Sequence, residues 1–158
     1  MATIRALAIA GLLVFLHFGA LAQPVLVGQW KSDADRTMRF NKERARLDDK
    51  KVAFLSQLMG KMTITFTEDS IAYDMPDVNM RLGGGQVQRV QGFKETHPYN
   101  RLGHTGSTVA VRSKAAVVGN EAITVYNFED ANTMWVYVGG ADMGLPDEHL
   151  REYFVRAR

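Results

Sequence analysis

Lys61-Met62-Thr63-Ile64-Thr65-Phe66-Thr67 alternates strictly between two kinds of side chain. Met62, Ile64 and Phe66 fall on one side, and Lys61 with the three threonines falls on the other. In an extended chain successive side chains point to opposite faces. The stretch therefore predicts a half-buried antiparallel strand with one face against a core. Glu68-Asp69 reads as a tight turn into Ser70 to Asp74, where Ile71 and Tyr73 share a face before Pro76 ends the strand. The pattern then recurs. Three glycines at 83–85 precede a strand-like Gln86 to Phe93. Thr105 to Arg112 carries Val109 and Val111 on one side, and Val117 to Asn120 reads as a strand end and turn. Glu121 to Phe128 and Thr133 to Val138 flank a turn at Asp130 to Asn132. A loop with Gly139, Gly140, Gly144 and Pro146 leads to a last strand, Glu152 to Arg156. The polar run from His97 to His104 reads as a loop. At roughly 8–12 residues per strand and turn, the chain after Gly60 holds about eight strands. The expected fold is mainly β, a single antiparallel up-and-down β-barrel whose closure removes exposed edges.

Before Gly60 the period is helical. Val52, Leu55 and Met59 recur at helical spacing, Phe54 pairs with Leu58 four residues on, Asp48 can cap the start and Gly60 supplies the stop. Asp33 to Arg46 predicts another helix with a thin stripe of Ala34, Met38 and Ala45. A capping-box-like Ser32-x-x-Asp35 opens it. Leu26 to Lys31 reads as a short strand ahead of both. A two-helix segment is thus expected after the first strand.

Gly28-Gln29-Trp30 is the Gly-x-Trp pattern of the calycins, the lipocalins and fatty-acid-binding proteins, and the chain resembles that superfamily in layout as well. The likeness is to small exported bacterial lipocalin-like proteins and, in having one strand, two helices and then a strand run, to the fatty-acid-binding proteins. It implies that Trp30 closes one end of the barrel together with Gly28. It also implies that a basic residue of the last strand, Arg156 or Arg158, packs across the indole, where a cation is attracted to the ring face. Arg151-Glu152-Tyr153 resembles the Arg-x-Tyr pair with which some of these proteins hold a ligand carboxylate. That likeness makes Arg151 and Tyr153 the candidate ligand-binding residues, and period two places them on one strand face.

Residues 1–22 have the three parts of a secretory signal peptide: Arg5 as the single charge, an apolar run from Ala6 to Phe18, and the small-x-small ending Ala20-Leu21-Ala22. The expected organisation is a cleaved segment 1–22 and one lipocalin-like barrel domain 23–158. The expected location is the periplasm or outside the cell, with no transmembrane anchor after cleavage near Ala22.

Composition narrows the function. With 19 Lys and Arg against 17 Asp and Glu, the chain offers no basic footprint for nucleic acid. It has no cysteine, which excludes disulfides, thiolate metal sites and cysteine nucleophiles. His97 and His104 match no common ligand spacing, and Glu148-His149 is only a neighbouring pair, so no metal site is read. Gly83-Gly84-Gly85 lacks the Lys-Ser/Thr of a phosphate loop. Ser107 and Ser113 stand in no nucleophile elbow, so no catalytic residue, cofactor or enzymatic activity is assigned. Two functions remain. One is a barrel that binds a small apolar or amphipathic ligand, with the helix pair as a lid and aromatics such as Phe66, Tyr73, Tyr126 and Trp135 lining it. The other is a solid barrel that binds an envelope protein as an inhibitor or assembly factor, with the segment from Glu95 to Gly106 as the contact.

Overall fold

The computed structural model describes residues 24–115, 119–140 and 145–157. The segment 1–22 read as a signal peptide lies outside these residues, as do Val117, Val118, Gly144 and Arg158. The chain runs through β1 (Gly28–Ser32), α1 (Ala34–Arg44), α2 (Asp49–Leu58), β2 (Thr63–Phe66), β3 (Ser70–Met75), β4 (Val78–Arg81), β5 (Val87–Val90), β6 (Phe93–His104), β7 (Thr108–Lys114), β8 (Glu121–Asp130), β9 (Thr133–Gly140) and β10 (Leu145–Arg156). Eight strands close an antiparallel barrel in the order β1-β10-β9-β8-β7-β6-β3-β2, and β4 and β5 pair apart from it as a hairpin. The mainly β, up-and-down barrel with two helices after its first strand is therefore the fold.

Register fixes which side chains face inward. Trp30 stands opposite Ile64 and Arg156, Ile64 opposite Tyr73, and Tyr73 opposite Glu95. Val109 stands opposite Tyr126, and Met134 opposite Phe154. Trp30, Phe66, Ile71, Val109, Val111, Tyr126, Met134 and Phe154 are all almost completely buried and make up most of one cluster. Burying each large apolar side chain contributes about 1.5–3 kcal/mol, so this inner layer is the main source of stability in a chain without disulfides.

The helices start where their caps satisfy free amides. Asp33 accepts from the Arg36 N–H at 3.0 Å, and Asp48 from that of Lys51 at 2.8 Å. The cap of α1 is thus Asp33 rather than Ser32, because the Ser32 hydroxyl is turned into the barrel. Gly60 ends the α2 segment at φ 84°.

The helices also protect strand edges. β1 has five residues and β10 has twelve, so much of one β10 edge extends past β1. Thr37 and Asn41 on α1, both fully buried, cover it. The Tyr153 N–H donates to Thr37 Oγ1 at 2.9 Å. The Arg151 N–H donates to Asn41 Oδ1 at 3.0 Å, and Asn41 Nδ2 donates to the Arg151 carbonyl at 2.9 Å. Gln57 on α2 grips Arg81 of β4 in the same two-bond manner. An amide that mimics a strand neighbour leaves no edge groups for another chain to pair with. Replacing Asn41 with Leu is expected to cost about 2–3 kcal/mol in urea unfolding, since it leaves a buried donor and a buried acceptor without partners.

Three expectations are corrected. The run from His97 to His104 is not a loop but most of β6, so the segment from Glu95 to Gly106 is largely barrel wall. β4 is an added strand, and the three glycines lie in the turn of the β4–β5 hairpin, with Gly84 and Gly85 at positive φ. α1 packs along the edge of β10 as a strut, not across a mouth as a lid.

Candidate functional site

One end of the barrel is sealed. The Trp30 indole N–H donates to the Leu26 carbonyl at 2.7 Å, and the Arg156 guanidinium lies 4.2 Å from the indole centroid. Arg156 also donates to the carbonyls of Val27 at 2.8 Å, Val25 at 2.6 Å and Ala131 at 3.3 Å, so it ties the incoming chain to the β8–β9 turn. Gly28 sits beneath it at φ 130°, where a Cβ would fall 2.5 Å from Arg156 Nη1. Only glycine suits both that backbone conformation and that approach. Gly28, Trp30 and Arg156 thus meet at one end, with Phe128 edge-on to the indole at 5.8 Å.

The other end carries the helices, the hairpin and a different lining. Met62, Phe93 and Val138 continue the inward-facing rows but are only partly buried. Among them stand polar groups. The Ser32 hydroxyl donates to Glu152 Oε1 at 2.5 Å and accepts from the Gly60 N–H at 2.9 Å. Glu152 is buried on the inner face of β10, opposite Val136. Burial pushes its carboxyl up from 4.5 to about 7, against the pull of the Ser32 hydrogen bond. On β6, His97 Nε2 lies 3.0 Å from Glu95 Oε2, and both side chains are partly exposed. Burial raises the Tyr126 and Tyr73 phenols; hydrogen bonds to Tyr126 and Ser113 moderate the rise at Tyr73.

Where the hairpin leaves the barrel, a recess of about 550 Å³ is lined by residues 74–77 and 92–94. Met75 and Phe93, which face each other on the inward register, bring it to the rim of this end. Its root is held by Asp77, which accepts from the Gly92 N–H at 2.7 Å and pairs with Arg89.

Arg151 and Tyr153 share one strand face, and it is the outer one. They alternate with the inward Glu152 and Phe154 and stand opposite Tyr137 and Trp135. The Arg151 guanidinium lies 3.7 Å from the Trp135 ring centroid and 4.2 Å from that of Phe40 on α1. Its Nη atoms reach the Tyr153 and Tyr137 hydroxyls at 3.4 Å. Neither residue lines the interior; together they join α1 to the sheet. Because a planar guanidinium stacks where an ammonium cannot, Arg151→Lys is expected to lose about 1–2 kcal/mol of stability in a urea melt, close to the effect of Arg151→Ala.

Sequence reasoning did not single out Glu152, Glu95, Thr37 or Asn41. The pair Thr37 and Asn41, spaced four apart beside the apolar Met38, was the available signal. Among the described residues no group of three or more His, Asp or Glu could hold a metal ion, and no helix is long and apolar enough to cross a membrane. An eight-stranded closed barrel with a helical segment after its first strand is consistent with a calycin-like fold. Comparison with protein-family models, curated proteins and solved structures returns no match.

Proposed function

We propose that this chain is an exported, lipocalin-like carrier that takes up a small apolar or amphipathic molecule through the helix end of its barrel. The observation that carries this reading is the lining at the helix end of the closed barrel. There the inward-facing Met62, Phe93 and Val138 are only partly buried, next to the packed cluster of Ile64, Tyr73, Val136 and Phe154. The ligand space is therefore a cup over a packed floor, and the ligand is small. Export rests on the three-part pattern of residues 1–22 and places the carrier in the periplasm or outside the cell. Delipidated, refolded protein is expected to take up a neutral naphthyl dye with a dissociation constant of about micromolar order, and Val138→Trp is expected to abolish that uptake. Absence of uptake in the parent protein would overturn the reading. N-terminal sequencing of protein from the cell envelope is expected to begin at Gln23; a chain that keeps Met1 would overturn the export claim.

A second reading has its own support. Ile123, Val125 and Tyr137 are each more than two-fifths exposed on the outer faces of the adjacent strands β8 and β9. A solid barrel would use such a face to bind an envelope protein. In that case Val138→Trp would leave the function intact and Val125→Glu would remove it.

A further inference from the structure

We infer that the barrel binds an extended polypeptide segment, apolar at alternate positions, by adding it as a strand in the seam between β8 and β9. This rests on the second reading above and adds the means by which that outer face recognises its partner.

The seam follows from where the backbone groups point. In a ladder, successive residues turn their N–H and C=O groups to opposite neighbours. The Ala115 N–H donates to the Asn120 carbonyl at 2.8 Å, and the Phe128 N–H to the Ser107 carbonyl at 2.7 Å. The even-numbered residues of β8 thus face β7, and Ile123, Val125 and Asn127 face β9. On β10, Arg151 and Tyr153 give their amides to α1, so Glu152 and Phe154 face β9. Their partners Val136 and Met134 face back to them, which leaves Trp135, Tyr137 and Gly139 facing β8. Among the described residues, however, β8 and β9 pair only at Asn127 with Trp135, Phe128 with Met134 and Asp130 with Thr133. Asn127 stands at the last pair, where its Nδ2 donates to the Val125 carbonyl at 3.1 Å and reaches the Trp135 carbonyl at 3.5 Å. Beyond it, the N–H groups of Ile123 and Val125 on one side and of Tyr137 and Gly139 on the other have no ladder partner among the described residues. Gly139, at φ 97°, breaks the extended run of β9 in the same stretch.

Two independent features coincide here. Ile123, Val125 and Tyr137 turn unpaired backbone groups into the seam, and the same three residues expose large apolar side chains beside it. The β10 edge is covered by Thr37 and Asn41, whereas residues 121–127 and 135–139 hold no lysine or proline to discourage pairing. A row of free backbone groups is matched by another extended backbone, and alternate side chains of that strand meet the apolar flanks. Both edges of the seam are free, so an occupant that pairs with both must itself be free on both edges. A strand of a second folded sheet is not, because one of its edges is already paired. The occupant is therefore an isolated extended segment.

The test is hydrogen exchange of the purified, isotope-labelled chain followed by NMR. In the free chain the amides of Ile123, Val125 and Tyr137 are expected to exchange at least about a hundred-fold faster than those of Thr124 and Tyr126, which β7 holds. A seven-residue peptide in which valine alternates with threonine, flanked by lysines, is expected to bind with a dissociation constant of about 10–100 μM and to slow the three seam amides at least about ten-fold. The same peptide N-methylated at alternate residues keeps its side chains and loses one row of donors; it should bind at least about ten-fold more weakly. Equal protection of the seam and β7-facing amides in the free chain, peptide binding without added protection at the seam, or equal binding of the two peptides would overturn strand addition and leave the apolar face standing. Binding of neither peptide would overturn strand addition as well; the apolar face itself falls only if Val125→Glu leaves binding of the envelope protein intact.

Discussion

Glu152→Gln is expected to be about 3 kcal/mol more stable than the parent at pH 8 and equal to it at pH 4. The cause is the position of the Glu152 carboxyl, buried on the inner face of β10 with the Ser32 hydroxyl as its partner. Burial raises its pKa from 4.5 to about 7 in the folded state. The unfolded chain keeps the ordinary value, so between these limits the native state holds more protons and stability falls as pH rises. The favourable state is fully present below about pH 4.5 and is lost as pH passes through about 7. The glutamine cannot ionise, so its advantage should grow across that window and then level off. Urea unfolding of both proteins at four or five pH values measures the difference directly. A parallel pair of curves would mean that the Glu152 carboxyl titrates alike in the folded and unfolded chains.

Removing the seal should have the largest destabilising effect. Trp30→Ala is expected to cost about 3–5 kcal/mol, the range for emptying a buried aromatic site. The loss should exceed transfer alone, because Arg156 would then lie over a void while still held by the carbonyls of Val25, Val27 and Ala131. Arg156→Met alone should cost less, and the two changes should not add. A double-mutant cycle read by urea unfolding is expected to show a coupling of about 1 kcal/mol from the cation over the ring. Gly28→Ala should perturb the same unit from below, by forcing Arg156 away from the indole. Independent, additive effects would show that ring and cation do not act together.

Much of this fold was legible because apolar alternation survives wherever the outer face is polar. Ile64 and Phe66, Ile71 and Tyr73, and Val109 and Val111 all read correctly as inward pairs. β6 did not, because its inward row carries Glu95 and His97 and its middle carries Pro98, all of which resemble loop chemistry. The terminal strand shows a different limit. Period two correctly puts Arg151 and Tyr153 on one face, but it cannot say which face is the core. Polarity suggests that Tyr153 points in and Glu152 out; the reverse holds. α1 lays a second layer over the outside of β10, so aromatic residues find cover there while the carboxyl turns inward. Asn41, the residue that anchors this layer, is polar and so stood outside any apolar stripe.

The pairing of β1 with β10 also governs when the structure can form. Trp30 waits for Arg156, and the Gln29 carbonyl waits for the Ala157 amide, which donates to it at 2.8 Å. Such pairings span nearly the whole described chain, and contacts of that separation make folding slow. A ribosome-bound chain that still lacks β10 has no means of closing its wall. The wall therefore stays open until β10 has been made, and that strand acts as the latch.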